Sequence, residues 1–116
     1  SFAQRGALAA IQGPRDCVDA MAESYNRRRL LLTEGLQAIV GITLVEPKGA
    51  FYAFPQLPES VGGSMDFCRQ ALDRAGLAVV PGLAFGNDRC IRLSCAVSRE
   101  TINDGLSRLS QLLENS

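Results

Sequence analysis

The residues best suited to chemistry lie in the stretch CIRLSCAVS, which spans Cys90 to Ser98. Its alternation of side chains predicts a short strand with Arg92 in the middle, on the face opposite Ile91 and Leu93. An arginine presents a planar fork of N–H donors that matches a carboxylate through two parallel hydrogen bonds. Arg92 is therefore either a solvent-exposed residue of a half-buried strand or a group that binds a carboxylate.

The cysteines give little support to a metal or redox site. The chain has no histidine, and none of its four cysteines forms a C-x-x-C pair. These cysteines are Cys17, Cys68, Cys90 and Cys95. We expect them to be reduced and mostly buried thiols, as in cytoplasmic proteins.

Composition limits the classes of partner. The 116 residues are 47% hydrophobic and 21% charged, which is typical of one folded domain. Twelve basic and twelve acidic residues cancel, so no overall field favours nucleic acid or a membrane surface. The apolar runs are too short to span a membrane. We therefore expect a cytoplasmic protein with neither partner, and the start at Ser1 within a helical pattern suggests a piece of a longer polypeptide.

Two helices are predicted at the beginning of the chain. Residues 1–12 have helical character up to Gly13, and a second helix runs from Arg15 to about Val40. A helix of about 26 residues would be ~39 Å long, more than this domain can bury by itself. Such a helix typically bridges two domains or subunits. The cluster Arg27–Arg29 within it is interpreted as a solvated face, with Glu23 paired to Arg27.

The remaining pattern predicts a small sheet with two more helices. ITLVEP and GAFYAFP are expected to pair as two strands around a tight turn, and LAVVPG and CIRLSCA supply two more. Ser64 is a plausible cap for a helix from Met65 to Ala75, and Ser98 for the last helix. The fold class is therefore α+β, with a small sheet covered on one face by helices and a long N-terminal helix.

Three segments in a fixed order carry a family resemblance: PKGAFYAFP, then GLAVVPGLAFG, then CIRLSCAVSRETINDGLSRL. Together they resemble the C-terminal region of the class I and II, fold-type I, pyridoxal-phosphate-dependent aminotransferases, which include aspartate aminotransferase. The opening SFAQRGALAAIQGPRD is similar to the family's segment just after its cofactor lysine. The resemblance covers essentially all 116 residues and implies the fold of the small domain.

The resemblance also implies roles for particular residues. Arg92 would bind the α-carboxylate of the substrate, and an active-site loop would contain Pro81, Gly82, Phe85 and Gly86. Tyr52 receives no catalytic role, and Lys48 matches a turn rather than the Schiff-base lysine. The S-x-S-K motif, the pyridine-binding aspartate and the phosphate-binding loop are absent from this sequence. No catalytic, cofactor-binding or metal-binding residue is thus expected, and pyridoxal phosphate should bind the full-length enzyme rather than this fragment.

By the same resemblance, residues 1–12 are the remnant of a missing large domain, 13–40 the interdomain helix and 41–116 the small domain. The parent would be a homodimer that moves an amino group between an amino acid and a 2-oxo acid, and the isolated fragment would be inactive. Two alternatives remain open at this level. One is a fragment of a lyase or synthase with the same fold, and the other is a stand-alone α+β module that binds a small ligand.

Overall fold

The computed structural model describes residues 1–115, which form four α-helices, three short strands and one 3-10 helix. In chain order the elements are α1 (Phe2–Gln12), α2 (Asp16–Gln37), β1 (Tyr52–Ala53), α3 (Ser64–Ala75), β2 (Val80–Pro81), the 3-10 helix (Gly82–Phe85), β3 (Ile91–Ser94) and α4 (Arg99–Glu114). This order confirms the predicted α+β class.

The sheet has the order β1-β3-β2, and both pairings are antiparallel. The paired residues are Tyr52 with Ser94, Ala53 with Leu93, Val80 with Arg92, and Pro81 with Ile91. Ile91 and Cys95 are buried on the helix side, so Arg92 lies on the opposite face, as its alternation predicts. Cys90 departs from the expected alternation. It is buried because the chain at Gln56 pairs alongside it.

The predicted pairing of ITLVEP with GAFYAFP is wrong for most of its length. One bridge joins Thr43 to Gln56, with N···O distances of 3.1 and 2.8 Å. Beyond it the chain leaves the sheet. Pro47 has no N–H to offer a ladder, and its carbonyl oxygen instead accepts a hydrogen bond of 2.8 Å from Arg29 of α2.

The helix ends agree with the sequence except in two places. Helix α2 ends at Gln37 rather than Val40, which makes it about 33 Å long. Helix α3 is capped by Gly63, so Ser64 belongs to its first turn and its side chain has another use. Ser98 does cap α4, since its hydroxyl accepts a hydrogen bond from Thr101 N at 3.1 Å.

The core lies between the sheet and helices α2, α3 and α4. Leu36, Ile91 and Leu109 are fully buried there, with Phe67 and Ala71 of α3 beside them. Helices α2 and α4 approach closely at Gly35, where an added Cβ would lie 2.2 Å from a methyl carbon of Leu106. The apolar face of each of these helices thus serves one common core on a single side of the sheet.

The beginning of the chain contributes nothing to that core. No residue of α1 is buried, and residues 14–23 are exposed as well. The extents of the molecule are 52 × 27 × 24 Å. None of the helices described is both long and apolar enough to cross a membrane.

The arginine cluster of α2 is only partly the solvated face that was expected. Arg27 is exposed and pairs with Glu23 at 3.4 Å, as predicted. Arg28 and Arg29 are half-buried. Arg28 donates to Val97 O at 3.0 Å, and Arg29 donates to Glu46 and to Pro47 O. The expectation was wrong for these two because the segment between β3 and α4 lies against Arg28 and the segment after α2 lies against Arg29.

Candidate functional site

Arg92 is held between two aromatic rings. Its guanidinium carbon lies 4.3 Å from the ring centroid of Tyr52 and 4.4 Å from that of Phe85. Tyr52 comes from the neighbouring strand β1, where it pairs with Ser94, and Phe85 ends the 3-10 helix. Each contact of this kind contributes about 0.5–2 kcal/mol. The two rings are called here the aromatic clamp.

The donors of Arg92 have no internal acceptor. Within residues 1–115 the guanidinium forms contacts with these two rings and no ion pair. The side chain is half-buried. A planar cation that lies against aromatic rings and has free N–H donors is suited to bidentate binding of a carboxylate.

The segment from Pro81 to Gly86 positions Phe85. Gly82 N donates to Cys90 O at 2.8 Å, and Asn87 N donates to Gly82 O at 3.0 Å. A Cβ at Gly82 would lie 2.3 Å from both Asn87 O and Cys90 O, so only glycine fits there. Gly86 ends the 3-10 helix with φ of 86°, a conformation that favours glycine. The four predicted loop residues thus build one tight turn beside Arg92.

A second set of bonds ties this turn to α3. The Ser64 hydroxyl donates to Asp88 Oδ1 at 2.8 Å and accepts from Leu83 N at 3.1 Å. The backbone N–H of Ser64 also donates to Asp88 Oδ1, at 2.9 Å. We call this set the Ser64–Asp88 lock. Sequence reasoning treated Ser64 as a cap, and no local pattern joins it to a residue 24 positions away.

Tyr52 also contacts Arg92, although sequence reasoning assigned it no catalytic role. Its ring lies 4.4 Å from that of Phe51, which in turn lies 6.1 Å from Tyr25 of α2. On the other side, Phe85 meets Phe54 edge-on at 6.2 Å. A row of three rings therefore connects the long helix to the Tyr52 side of the clamp, and the contact with Phe54 is a separate one on the Phe85 side. The aromatic content of GAFYAFP was the available signal.

A mostly apolar cleft of about 220 Å³ borders Arg92 and Tyr52. Its other walls include Val80, Val97 and Ile102. A ligand bound to Arg92 through a carboxylate would therefore find hydrocarbon surface beside its charged end.

Three of the four cysteines are unsuited to nucleophilic work. All four are free, and only Cys17 is exposed. Burial raises the pKa of Cys68, Cys90 and Cys95 above the ordinary value of 9.0, which keeps these thiols protonated near neutral pH. Among residues 1–115, no group of three or more potential ligands is placed to hold a metal ion.

Lys48 lies in an exposed turn. Its side chain is 82% exposed and is paired with Glu46 at 3.1 Å. Hydrogen bonds from Lys48 and then from Arg29 lower the pKa of Glu46 below its ordinary value of 4.5. Lys48 does not line the cleft beside Arg92, so the structure places it in a surface ion pair.

Solved structures define the class of protein to which this fold corresponds. An aspartate aminotransferase from Thermotoga maritima superposes with a TM-score of 0.87 at 34% identity, covering 100% of this chain and 29% of that one. An aspartate aminotransferase from Rhizobium meliloti gives 0.86 at 35% identity, covering 93% of this chain and 30% of the other. The fold is the one found in part of these aminotransferases.

Sequence comparison narrows the class to a family. The model of aminotransferase class I and II matches residues 1–109, and the chain belongs to that family. An Aquifex aeolicus protein named "Probable aspartate/prephenate aminotransferase" is 41% identical over 98% of this chain. The aspartate/prephenate aminotransferase of Nitrosomonas europaea is 34% identical over 97% of it. The chain spans about 30% of the length of these relatives.

Proposed function

We propose that this chain is the carboxyl-terminal part of a pyridoxal-phosphate-dependent aminotransferase, in which Arg92 binds the α-carboxylate of the substrate. Residues 1–12 would belong to the large domain, 13–40 to the interdomain helix and 41–116 to the small domain. The observation that carries the proposal is the guanidinium of Arg92, which lies against two aromatic rings and has no ion-pair partner within residues 1–115. Family membership and the share of its relatives that the chain covers support it.

Arg92 would orient the substrate in both halves of the reaction. An amino acid donor and a 2-oxo acid acceptor have the carboxylate in common, so one guanidinium serves each in turn. Two parallel hydrogen bonds fix the direction of the carboxylate as well as its position. Fixing that group limits the rotation of the α-carbon next to it, which is the positioning that an ordered reaction requires.

The residues of this chain do not fit a site for the cofactor. Pyridoxal phosphate supplies the amino-transfer chemistry when it is bound to an enzyme of this family. Lys48 is the only lysine in the sequence, and it is exposed and paired with Glu46. We therefore assign the cofactor, and the lysine that holds it, to the part of the enzyme outside this chain.

The relatives' names suggest which substrates to test first. The plant and bacterial proteins are named aspartate or aspartate/prephenate aminotransferases, so aspartate with 2-oxoglutarate is the first pair. A dicarboxylic donor would need a second cation outside this chain. The remaining partners in the proposal are the large domain and a second subunit of a homodimer.

Arg92→Lys in the full-length enzyme tests the assignment. Lysine keeps the charge but loses the planar pair of donors. The activation free energy that corresponds to kcat/KM for aspartate should therefore rise by about 2–4 kcal/mol, which lowers kcat/KM roughly 30- to 900-fold. Arg89→Lys is the matched control. It changes an exposed arginine three positions away, outside the clamp, and should leave kcat/KM within about twofold.

An unchanged kcat/KM in Arg92→Lys would show that Arg92 does not bind the substrate carboxylate. The isolated 116-residue chain serves as a further arm of the same experiment. It should show no transamination and no absorbance change when pyridoxal phosphate is added. Turnover by the isolated chain would contradict the assignment of the cofactor to the rest of the enzyme.

A further inference from the structure

We propose that Ser64 and Asp88 are positioning residues for substrate binding, because they hold Phe85 against Arg92. This inference rests on the proposed carboxylate-binding role of Arg92. Neither residue contacts the guanidinium. Their effect would pass through the 3-10 helix Gly82–Phe85, whose last residue forms one wall of the aromatic clamp.

The bonds of the Ser64–Asp88 lock depend on one another. The Ser64 hydroxyl donates its proton to Asp88 Oδ1 at 2.8 Å, so its lone pairs remain available to the N–H of Leu83 at 3.1 Å. Ser64 is completely buried. An alanine there would leave both the carboxylate oxygen and the Leu83 N–H without this partner, and buried donors are costly to leave unpaired.

The lock acts at the start of the segment that carries Phe85. Leu83 lies two residues before Phe85 in the same 3-10 helix, so the hydroxyl of Ser64 sets where that helix begins. Asp88 receives hydrogen bonds at the N-terminus of α3, where the helix dipole favours a negative charge. The backbone oxygen of Asp88 also accepts from Ser64 N, at 3.1 Å. Helix α3, a rigid core element, thereby determines the position of the Phe85 ring.

Besides the lock, the backbone hydrogen bonds from Gly82 N to Cys90 O and from Asn87 N to Gly82 O also hold the turn that carries Phe85. Phe85 is 50% exposed, and its ring contacts are Arg92 and the edge of Phe54. If the 3-10 helix shifts, the ring leaves the guanidinium and only the contact with Tyr52 remains. Binding of a carboxylate should then weaken, while the reacting groups outside this chain are untouched.

Ser64→Ala in the full-length enzyme should therefore raise KM for aspartate about fivefold, the equivalent of one cation–π contact, with kcat nearly unchanged. The inhibition constant of succinate, a dicarboxylate with no amino group to transfer, should rise by the same factor. Ser98→Ala is the matched control. It removes a hydroxyl from another helix N-terminus, that of α4, and should leave both constants unchanged.

A double-mutant cycle with Phe85→Leu separates positioning from general loss of stability. Once the ring is removed, Ser64→Ala should add less than a twofold change in KM, because both substitutions act through the same contact. If the two effects multiply, or if Ser64→Ala leaves KM and the succinate constant unchanged, the positioning role is wrong. If Ser64→Ala fails to fold, the same cycle is run with Asp88→Ala, whose side chain is at the surface.

The outcomes also separate this inference from the proposed function. A large loss of kcat/KM in Arg92→Lys, with no change of KM in Ser64→Ala or Asp88→Ala, would show that the positioning role is wrong. The proposal that Arg92 binds the carboxylate would still stand. No effect of Arg92→Lys would overturn the carboxylate site, and the positioning role with it.

Discussion

At the scale of single residues, Arg92 depends on two rings rather than on a counter-charge. An arginine paired with an internal carboxylate would have to give up that partner before it could bind a ligand. Here the rings of Tyr52 and Phe85 lie against the guanidinium, and its N–H donors are unpaired within the described chain. In the proposed role of Arg92, partial removal of water by these rings would strengthen the attraction of an incoming carboxylate.

Gly82 provides a prediction at the same scale. Gly82→Ala would bring a Cβ to 2.3 Å from two backbone oxygens, those of Asn87 and Cys90. Since backbone cannot move as a flexible side chain can, the turn must distort. We expect the free energy of unfolding to fall by about 2–4 kcal/mol and KM for aspartate to rise. Urea denaturation and steady-state kinetics of the full-length enzyme measure the two effects.

Gly6→Ala is the control for that substitution. A Cβ at Gly6 meets nothing within 4 Å, and alanine is the better helix former by about 1 kcal/mol. This variant should be as stable as the parent or slightly more so. Equal stability of the Gly82 and Gly6 variants would show that the turn is not as rigid as its contacts indicate.

At the scale of elements, α2 organises the chain that follows it. Arg29 donates to Asn26, to Glu46 and to Pro47 O, which holds the segment after the helix against its side. This explains why the predicted hairpin is reduced to a single bridge. In the segment that contains Pro47, a backbone carbonyl accepts its hydrogen bond from a helix side chain instead of from a neighbouring strand.

Arg29→Met tests this role of α2. Methionine keeps most of the length of the side chain but loses every hydrogen bond, so the free energy of unfolding should fall by about 1–3 kcal/mol. Arg27→Met is the matched control in the adjacent position. Its ion pair is 66% and 73% exposed, and its loss should cost no more than about 0.5 kcal/mol. Urea titration of both variants at neutral pH gives the comparison.

The pH dependence of the same two variants is a further check. The pKa of Glu46 is lowered by Lys48 and Arg29, so the ionised carboxylate stabilises the fold above pH 4.5, and this contribution is lost as the pH falls through the lowered value. The difference between Arg29→Met and the parent should therefore shrink as the pH is lowered below 4.5. A difference that is constant with pH would mean that Glu46 is not part of the interaction.

At the scale of the whole molecule, the shape is extended. The radius of gyration is 17.1 Å, whereas a compact chain of this length has about 13 Å. The excess comes from α1 and the first half of α2, which contribute no buried residue. Exposed apolar side chains are concentrated there: Phe2, Leu8, Ile11, Val18 and Met21. In the proposed full-length enzyme, this surface would lie against the large domain.

The isolated chain should therefore self-associate through α1. Phe2 and Ile11 are 92% and 80% exposed, and large exposed apolar side chains favour association. Sedimentation velocity should show a mass that rises with concentration, and the double variant Phe2→Lys, Ile11→Lys should remove that rise. The control pair Val40→Lys, Val45→Lys changes two equally exposed residues outside α1. Should this pair abolish association instead, α1 is not the contact surface.

Local chemistry determined the helices, the strand CIRLSCA and the face on which Arg92 lies, because these follow from periodicity and from caps such as Ser98. The order of the three motifs was enough to identify the family. Only the tertiary structure decided what surrounds Arg92. Tyr52, Phe85 and Ser64 come from three separate elements, and contacts between distant segments depend on packing that no local pattern encodes. For the same reason, Arg28 and Arg29 resembled a solvated face in the sequence and proved to be half-buried in the fold.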